Sequence, residues 1–115
     1  MMRVLNDRVD LDGLIADAVE EGRQVQVIPG RATKQATLEA FSQELNFPEW
    51  FGMNLDALAD CLDTLARESE GEWEIVWDGI AELRRDDPRA AAGIESILRE
   101  LNDEHPKVHV TLINR

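Results

Sequence analysis

The chain of 115 residues has one cysteine, no tyrosine and half as many basic residues as acidic ones. A single thiol, Cys61, cannot form an intramolecular disulfide, which agrees with a reducing compartment. One thiol also provides too few ligands for a zinc site built from cysteines. We interpret Cys61 as a small buried side chain. The 24 acidic residues against 12 basic ones give a formal net charge of −12, which disfavours nucleic acids and anionic membrane surfaces as partners.

Long apolar segments are also absent from the sequence. No uninterrupted apolar run is long enough to span a bilayer, and the first ten residues carry charges instead of the apolar centre of a secretory signal. The sequence therefore predicts a soluble protein that stays in the cytoplasm. Its length and its 43% of hydrophobic residues predict a single domain over residues 1–115.

The residue patterns that would support catalysis or metal binding are missing too. His105 and His109 are the only histidines, and Pro106 between them prevents the helical i, i+4 geometry of a zinc pair. The run 10–13 is similar to the start of a calcium loop, but Arg8 replaces an expected carboxylate and no glutamate follows at the required position. A helix start explains this run better. We therefore predict that the protein is not an enzyme and has no metal site or cofactor.

Segments with helical and strand periodicity alternate along the chain. Helices are predicted over about 11–21, 33–45, 54–66 and 80–83 and from Asp87 to just before Pro106, with strands over 24–28, 73–77 and 108–113. Because long connections with helices separate the strands, the strands are expected to be parallel. The predicted fold is α/β, a small three-stranded parallel sheet covered by helices, with an extra N-terminal helix in a 1–23 extension.

The predicted helix over 54–66 separates apolar from acidic residues. Helical geometry places one group on one side, namely Leu55, Leu58, Leu62 and Leu65, and gathers a second group into a narrow arc beside it, namely Asp56, Asp60 and Asp63. No Lys or Arg occurs between Lys34 and Arg67. The pattern predicts an acidic face without nearby compensation, which favours a cationic partner.

Each residue near this helix also has a simpler explanation. Asp56 lies in the first helical turn, where a carboxylate is favourable against the helix dipole, and Asp60 can be an ordinary solvated acid. Trp50 and Phe51 are neighbours at a turn, so at least one is expected near solvent, although both could close the edge of the core. Gly52 either provides a positive φ beside a partner or is a plain turn residue.

The segment from Pro48 to Leu62 resembles the signature of the barstar family of ribonuclease inhibitors. The resemblance consists of Pro-Glu, two aromatic residues, Gly, one variable residue, Asn-Leu-Asp-Ala-Leu, one variable residue and Asp-Cys-Leu. A weaker similarity continues through Gly93–Leu98 and the final strand, so that about residues 25 to 113 are covered. The resemblance implies a barstar-like fold and an intracellular inhibitor that blocks the active site of a small basic ribonuclease.

The resemblance also implies which residues bind the partner. Asp60 would occupy the phosphate pocket of the nuclease, and the remaining implied contacts are Trp50, Phe51, Gly52, Asn54, Asp56 and Asp103. Since the chain has no tyrosine, Trp50 and Phe51 lack the phenolic hydroxyls that the prototype of the family offers there, and altered contacts select altered partners. The free protein is expected to be a monomer. The alternative is an acidic interaction domain, or an antitoxin against a different toxin or nuclease.

Overall fold

The computed structural model describes residues 1–49 and 51–115, which form four strands and five helices. In chain order these are β1 Met2–Asn6, α1 Leu11–Glu20, β2 Gln24–Pro29, α2 Lys34–Leu45, α3 Leu55–Glu68, β3 Trp73–Asp78, α4 Ala81–Asp86, α5 Pro88–Glu104 and β4 Val108–Asn114. Every helix and strand predicted from the sequence is present, with ends that differ by a few residues.

The strands form one parallel sheet in the order β1-β4-β3-β2. The prediction of a parallel sheet covered by helices is therefore confirmed, but the predicted number of three strands was wrong. The fourth strand is β1, which lies at the edge of the sheet with Met2 opposite Val110 and Asn6 opposite Asn114. The extension predicted as helical over 1–23 thus contributes a strand as well as α1.

The two faces of the sheet are covered by different helices. On the larger side, sheet residues such as Ile75 and Trp77 join a core with Phe41 of α2, Leu58 of α3 and Ile94 of α5, all of which are fully buried. Successive residues of a strand point to opposite faces, so the residues between them face the other way. There Val76 and Ile113 pack with Leu14 of α1. The extension therefore covers the face opposite α3.

A buried ionic group lies on the α1 side of the sheet. Glu74 of β3 is 1% exposed, and one of its carboxylate oxygens accepts a hydrogen bond from Arg23 Nη1 at 3.2 Å. The other accepts one from the Thr111 hydroxyl at 3.1 Å, with Arg3 Nη2 3.8 Å away. Since Arg3 belongs to β1 and Arg23 directly precedes β2, this group ties the extension to the centre of the sheet.

Candidate functional site

The segment between α2 and α3 is fixed at both ends by capping residues. Asn46 ends α2 in the left-handed conformation, with a φ of 59°. Asn54 begins α3, because its side-chain oxygen accepts a hydrogen bond from the Ala57 N–H at 2.8 Å. Its side-chain amide donates to the Gly52 carbonyl at 3.1 Å. Asn54 therefore joins the turn to the helix and sets the direction in which α3 leaves it.

The aromatic residues of this turn were predicted to include at least one near solvent. Phe51 is not that residue, since it is 8% exposed and its ring lies edge-on to the Phe47 ring at a centroid distance of 5.1 Å. The Phe51 N–H donates to the Pro48 carbonyl at 2.9 Å, which closes the turn. Trp50 lies outside the described residues. The structure therefore places Phe51 under the turn, where it supports the backbone.

The positive φ that the sequence allowed at Gly52 occurs one residue later. Met53 has a φ of 48°, whereas Gly52 is exposed and is not among the glycines with a positive φ. A Cβ on Gly52 would lie 3.2 Å from Asn54 Nδ2. A side chain at this position would crowd the Asn54 amide, which donates to the Gly52 carbonyl. This close approach gives a steric explanation for glycine at position 52.

The acidic residues Asp56 and Asp60 are both exposed on α3, while Leu58 and Leu62 of the same helix are fully buried. Within residues 1–49 and 51–115, no basic group forms an ion pair with either carboxylate. α3 is therefore anchored by one side and presents two uncompensated negative charges on the other.

The third acid of the predicted arc, Asp63, is compensated. Its Oδ1 lies 2.8 Å from His105 Nε2 and its Oδ2 lies 2.9 Å from Arg67 Nε. The hydrogen bond with His105 lowers the pKa of the Asp63 carboxyl, and Arg67 lowers it further. The expectation of an arc of three free carboxylates was wrong in this respect, because a histidine 42 residues further along the chain reaches this position.

Asp103 is exposed in the last turn of α5, two residues before His105. The helices α3 and α5 run in the same direction, since Leu55 lies against Gly93 near one end and Asp63 contacts His105 near the other. Asp103 therefore lies at the end of the helix pair where Asp63 is found.

One cluster has the composition of a metal site. Single ligand atoms of Asp63, Glu104 and His105 all lie within 4.8 Å of one another. However, the contacts of Asp63 with His105 and with Arg67 already engage both carboxylate oxygens. The cluster therefore acts as a connection between α3 and α5.

A groove on the α2 side of α3 was not anticipated from the sequence. It has a volume of about 580 Å³ and lies between the α2–α3 segment and the side of α3 that carries Asp60, Cys61 and Leu65. Cys61 is buried as predicted, and burial, together with the charge of Asp60, raises the pKa of its thiol. No pattern in the sequence marks this groove, because it depends on how far apart α2 and α3 pack.

The fold and this site define an α/β protein that presents an acidic helix and a fixed turn on one surface. The chain belongs to the Barstar (barnase inhibitor) family, whose model matches residues 23–113. The family assignment made from the Pro48–Leu62 signature is thereby confirmed. No match was found among curated proteins.

Family membership suggests a barnase-type ribonuclease inhibitor and implies binding to a barnase-like ribonuclease. Inhibitors of this family are not enzymes. The matched residues include the whole α2–α3 segment and α5 but leave out β1 and α1. In the described parts of the chain, no helix has the length and apolar character needed to cross a membrane.

Proposed function

We propose that the protein is a cytoplasmic inhibitor that binds a small basic ribonuclease and blocks its active site with α3 and the preceding turn. Asp60 enters the phosphate pocket of the nuclease, and Asn54 and Asp56 make flanking polar contacts. Trp50 and Gly52 contact the rim of the cleft, and Phe51 contributes from below by holding the backbone of the turn. Asp103 adds a further negative charge from α5. Residues 1–115 act as one domain that is a monomer when free.

The observation that carries this proposal is the state of Asp60. Its carboxylate is exposed, has no basic partner among the described residues and projects from a helix whose other side is fully buried. A ribonuclease must present Arg, Lys or His to the phosphates of RNA, and a carboxylate can accept hydrogen bonds from the same groups. Since a carboxylate offers no phosphodiester bond, the nuclease cannot cleave it. Asp60 thus imitates a phosphate without being a substrate.

The protein would be titrated into barnase and several other small basic microbial ribonucleases while RNA cleavage is measured. We expect inhibition of at least one nuclease, and an Asp60→Ala variant that inhibits it about 10- to 100-fold less well, as expected for the loss of charge-assisted hydrogen bonds. Asp17→Ala is the matched control, because Asp17 is an exposed aspartate on α1 at the opposite face of the sheet.

The melting temperatures of both variants would be compared with that of the parent protein to separate binding from folding. Absence of inhibition across the nucleases would contradict the proposal and would favour a toxin of another kind as the partner. Equal losses for Asp60→Ala and Asp17→Ala would show that total charge, and not the position of Asp60, is responsible.

A further inference from the structure

The groove beside Asp60 combines an apolar lining with an acidic edge. Apolar side chains from both walls line it, namely Leu45, Phe47, Pro48, Ala57, Cys61 and Leu65. Asp60 and Glu68 line it as well, and both are exposed. A concave site lined mainly by apolar side chains with a few polar groups at defined positions is typical of binding sites.

The spacing of the two acids follows from helical geometry. Asp60, Thr64 and Glu68 are four residues apart in sequence, so they form one row along α3. Glu68 follows Asp60 by eight positions along the helix, which corresponds to about 12 Å. A single Lys or Arg side chain is too short to bridge this distance. The acidic edge of the groove is therefore complementary to two cationic groups held about 12 Å apart.

The next row of α3 forms the apolar wall. Ala57, Cys61 and Leu65 are again four residues apart and face Leu45 and Phe47 across the groove. Leu65 and Phe47 are only half-buried, so both leave apolar surface uncovered. At about 580 Å³ the groove has room for a large apolar side chain.

We propose that this groove binds a segment of the partner protein in which a large apolar side chain lies between two basic residues. The apolar side chain fills the space between Phe47 and Leu65, and the basic groups pair with Asp60 and Glu68. This inference rests on the proposed function, since it names the chemistry of the partner surface beside the phosphate pocket. It extends that surface along α3 to Glu68.

The first test uses a peptide with the required chemistry, Arg-Gly-Trp-Gly-Arg. In an extended chain its two arginine α-carbons are about 13 Å apart. We expect saturable changes in the backbone amide NMR signals of Thr64, Leu65 and Glu68. The peptides Arg-Gly-Ser-Gly-Arg and Glu-Gly-Trp-Gly-Glu are controls, and each should bind at least fivefold less tightly. Equal binding of the serine peptide, or signal changes spread over the acidic surface, would overturn the inference.

The second test uses variants against the ribonuclease that the protein inhibits most strongly. Glu68→Lys and Leu65→Gln should each weaken inhibition at least tenfold. The matched controls are Glu70→Lys, which makes the same charge change in the exposed segment after α3, and Val19→Gln, which makes the same polarity change at an exposed position on α1. Melting temperatures would show whether each variant is folded.

The outcomes separate this inference from the proposed function. If Asp60→Ala weakens inhibition but Glu68→Lys and Leu65→Gln do not, the nuclease-inhibitor proposal stands and the inference about the groove is overturned. If no ribonuclease is inhibited, the function proposal fails. The inference about the groove is then tested only by whether the peptide Arg-Gly-Trp-Gly-Arg binds at Thr64–Glu68.

Discussion

His105 Nε2 lies 2.8 Å from Asp63 Oδ1, so that the residue at the end of α5 is joined to the middle of α3. The two residues are 42 positions apart in sequence. Arg67, one helical turn after Asp63, holds the other carboxylate oxygen at 2.9 Å. This connection fixes the helix that carries Asp60 against the helix that carries Asp103.

The pair makes stability depend on pH in the acidic range. Because the pKa of Asp63 is lowered in the folded protein, the unfolded chain takes up the proton first as the pH falls. The stabilisation is complete above the ordinary aspartate value near 3.8 and is lost as the pH falls through the lowered folded value. We expect the parent protein to lose stability below about pH 4 more steeply than Asp63→Asn does.

Urea unfolding at a series of pH values would measure this difference. Asp17→Asn, a change at an exposed position on α1, is the control and should follow the parent curve. Parallel curves for the parent and Asp63→Asn would show that the contact with His105 does not stabilise the fold.

The cap at Asn54 links helix stability to the proposed inhibition. Asn54→Ala removes the hydrogen bonds to the Ala57 N–H and to the Gly52 carbonyl, and loss of such a cap costs about 1 kcal/mol. Asp10 caps α1 in the same way through the Gly13 N–H at 3.2 Å. We expect Asn54→Ala and Asp10→Ala to lower the free energy of unfolding by similar amounts, but only Asn54→Ala to weaken inhibition. Inhibition reduced equally in both would indicate that general stability is the cause.

The buried Glu74 group predicts a large effect from a single truncation. Glu74→Ala removes the buried carboxylate that accepts hydrogen bonds from Arg23 and Thr111, although Arg23 keeps its exposed partner Glu21 at 3.0 Å, so we expect a loss of about 1–3 kcal/mol. Glu72 Oε1 lies 3.3 Å from His109 Nε2 but Glu72 is 53% exposed, so Glu72→Ala should change stability by less than about 1 kcal/mol. Chemical denaturation of both variants would test this contrast, and comparable effects would contradict it.

The net charge of −12 predicts that added salt lowers the rate of association with a basic nuclease. A negative surface attracts a basic nuclease over distances that salt screens, with a screening length of about 10 Å at 0.1 M. Stopped-flow measurements with an inhibited ribonuclease should show an association rate that falls about tenfold or more with added salt and a dissociation rate that changes much less. An association rate independent of salt would show that charge does not guide the encounter.

Much of the fold could be predicted because its signals are local. Asp10, Thr33, Asn54 and Asp87 each cap the helix that follows, and the apolar periodicity of α3 and α5 matches their buried sides. The strand β1 could not be predicted in this way. Its five residues pair with β4 more than 100 residues later, so nothing in its neighbourhood specifies the pairing.

The same distinction between local signals and contacts of distant segments applies to the candidate site. The exposure of Asp56 and Asp60 follows from the period of one helix, which the sequence contains. The compensation of Asp63 by His105, the burial of Phe51 against Phe47 and the groove between α2 and α3 all depend on how separate segments pack. Only the structure shows these contacts, and they determine which of the acidic and aromatic residues are free to meet a partner.

The position of β1 beside β4 has a consequence for synthesis on the ribosome. β1 is synthesised long before its neighbour in the sheet, because residues 108–114 must emerge from the exit tunnel before Met2–Asn6 can pair with them. Until then Met2–Asn6 lacks its partner strand. Nascent chains that end before residue 108 should therefore leave the amides of β1 unprotected from exchange.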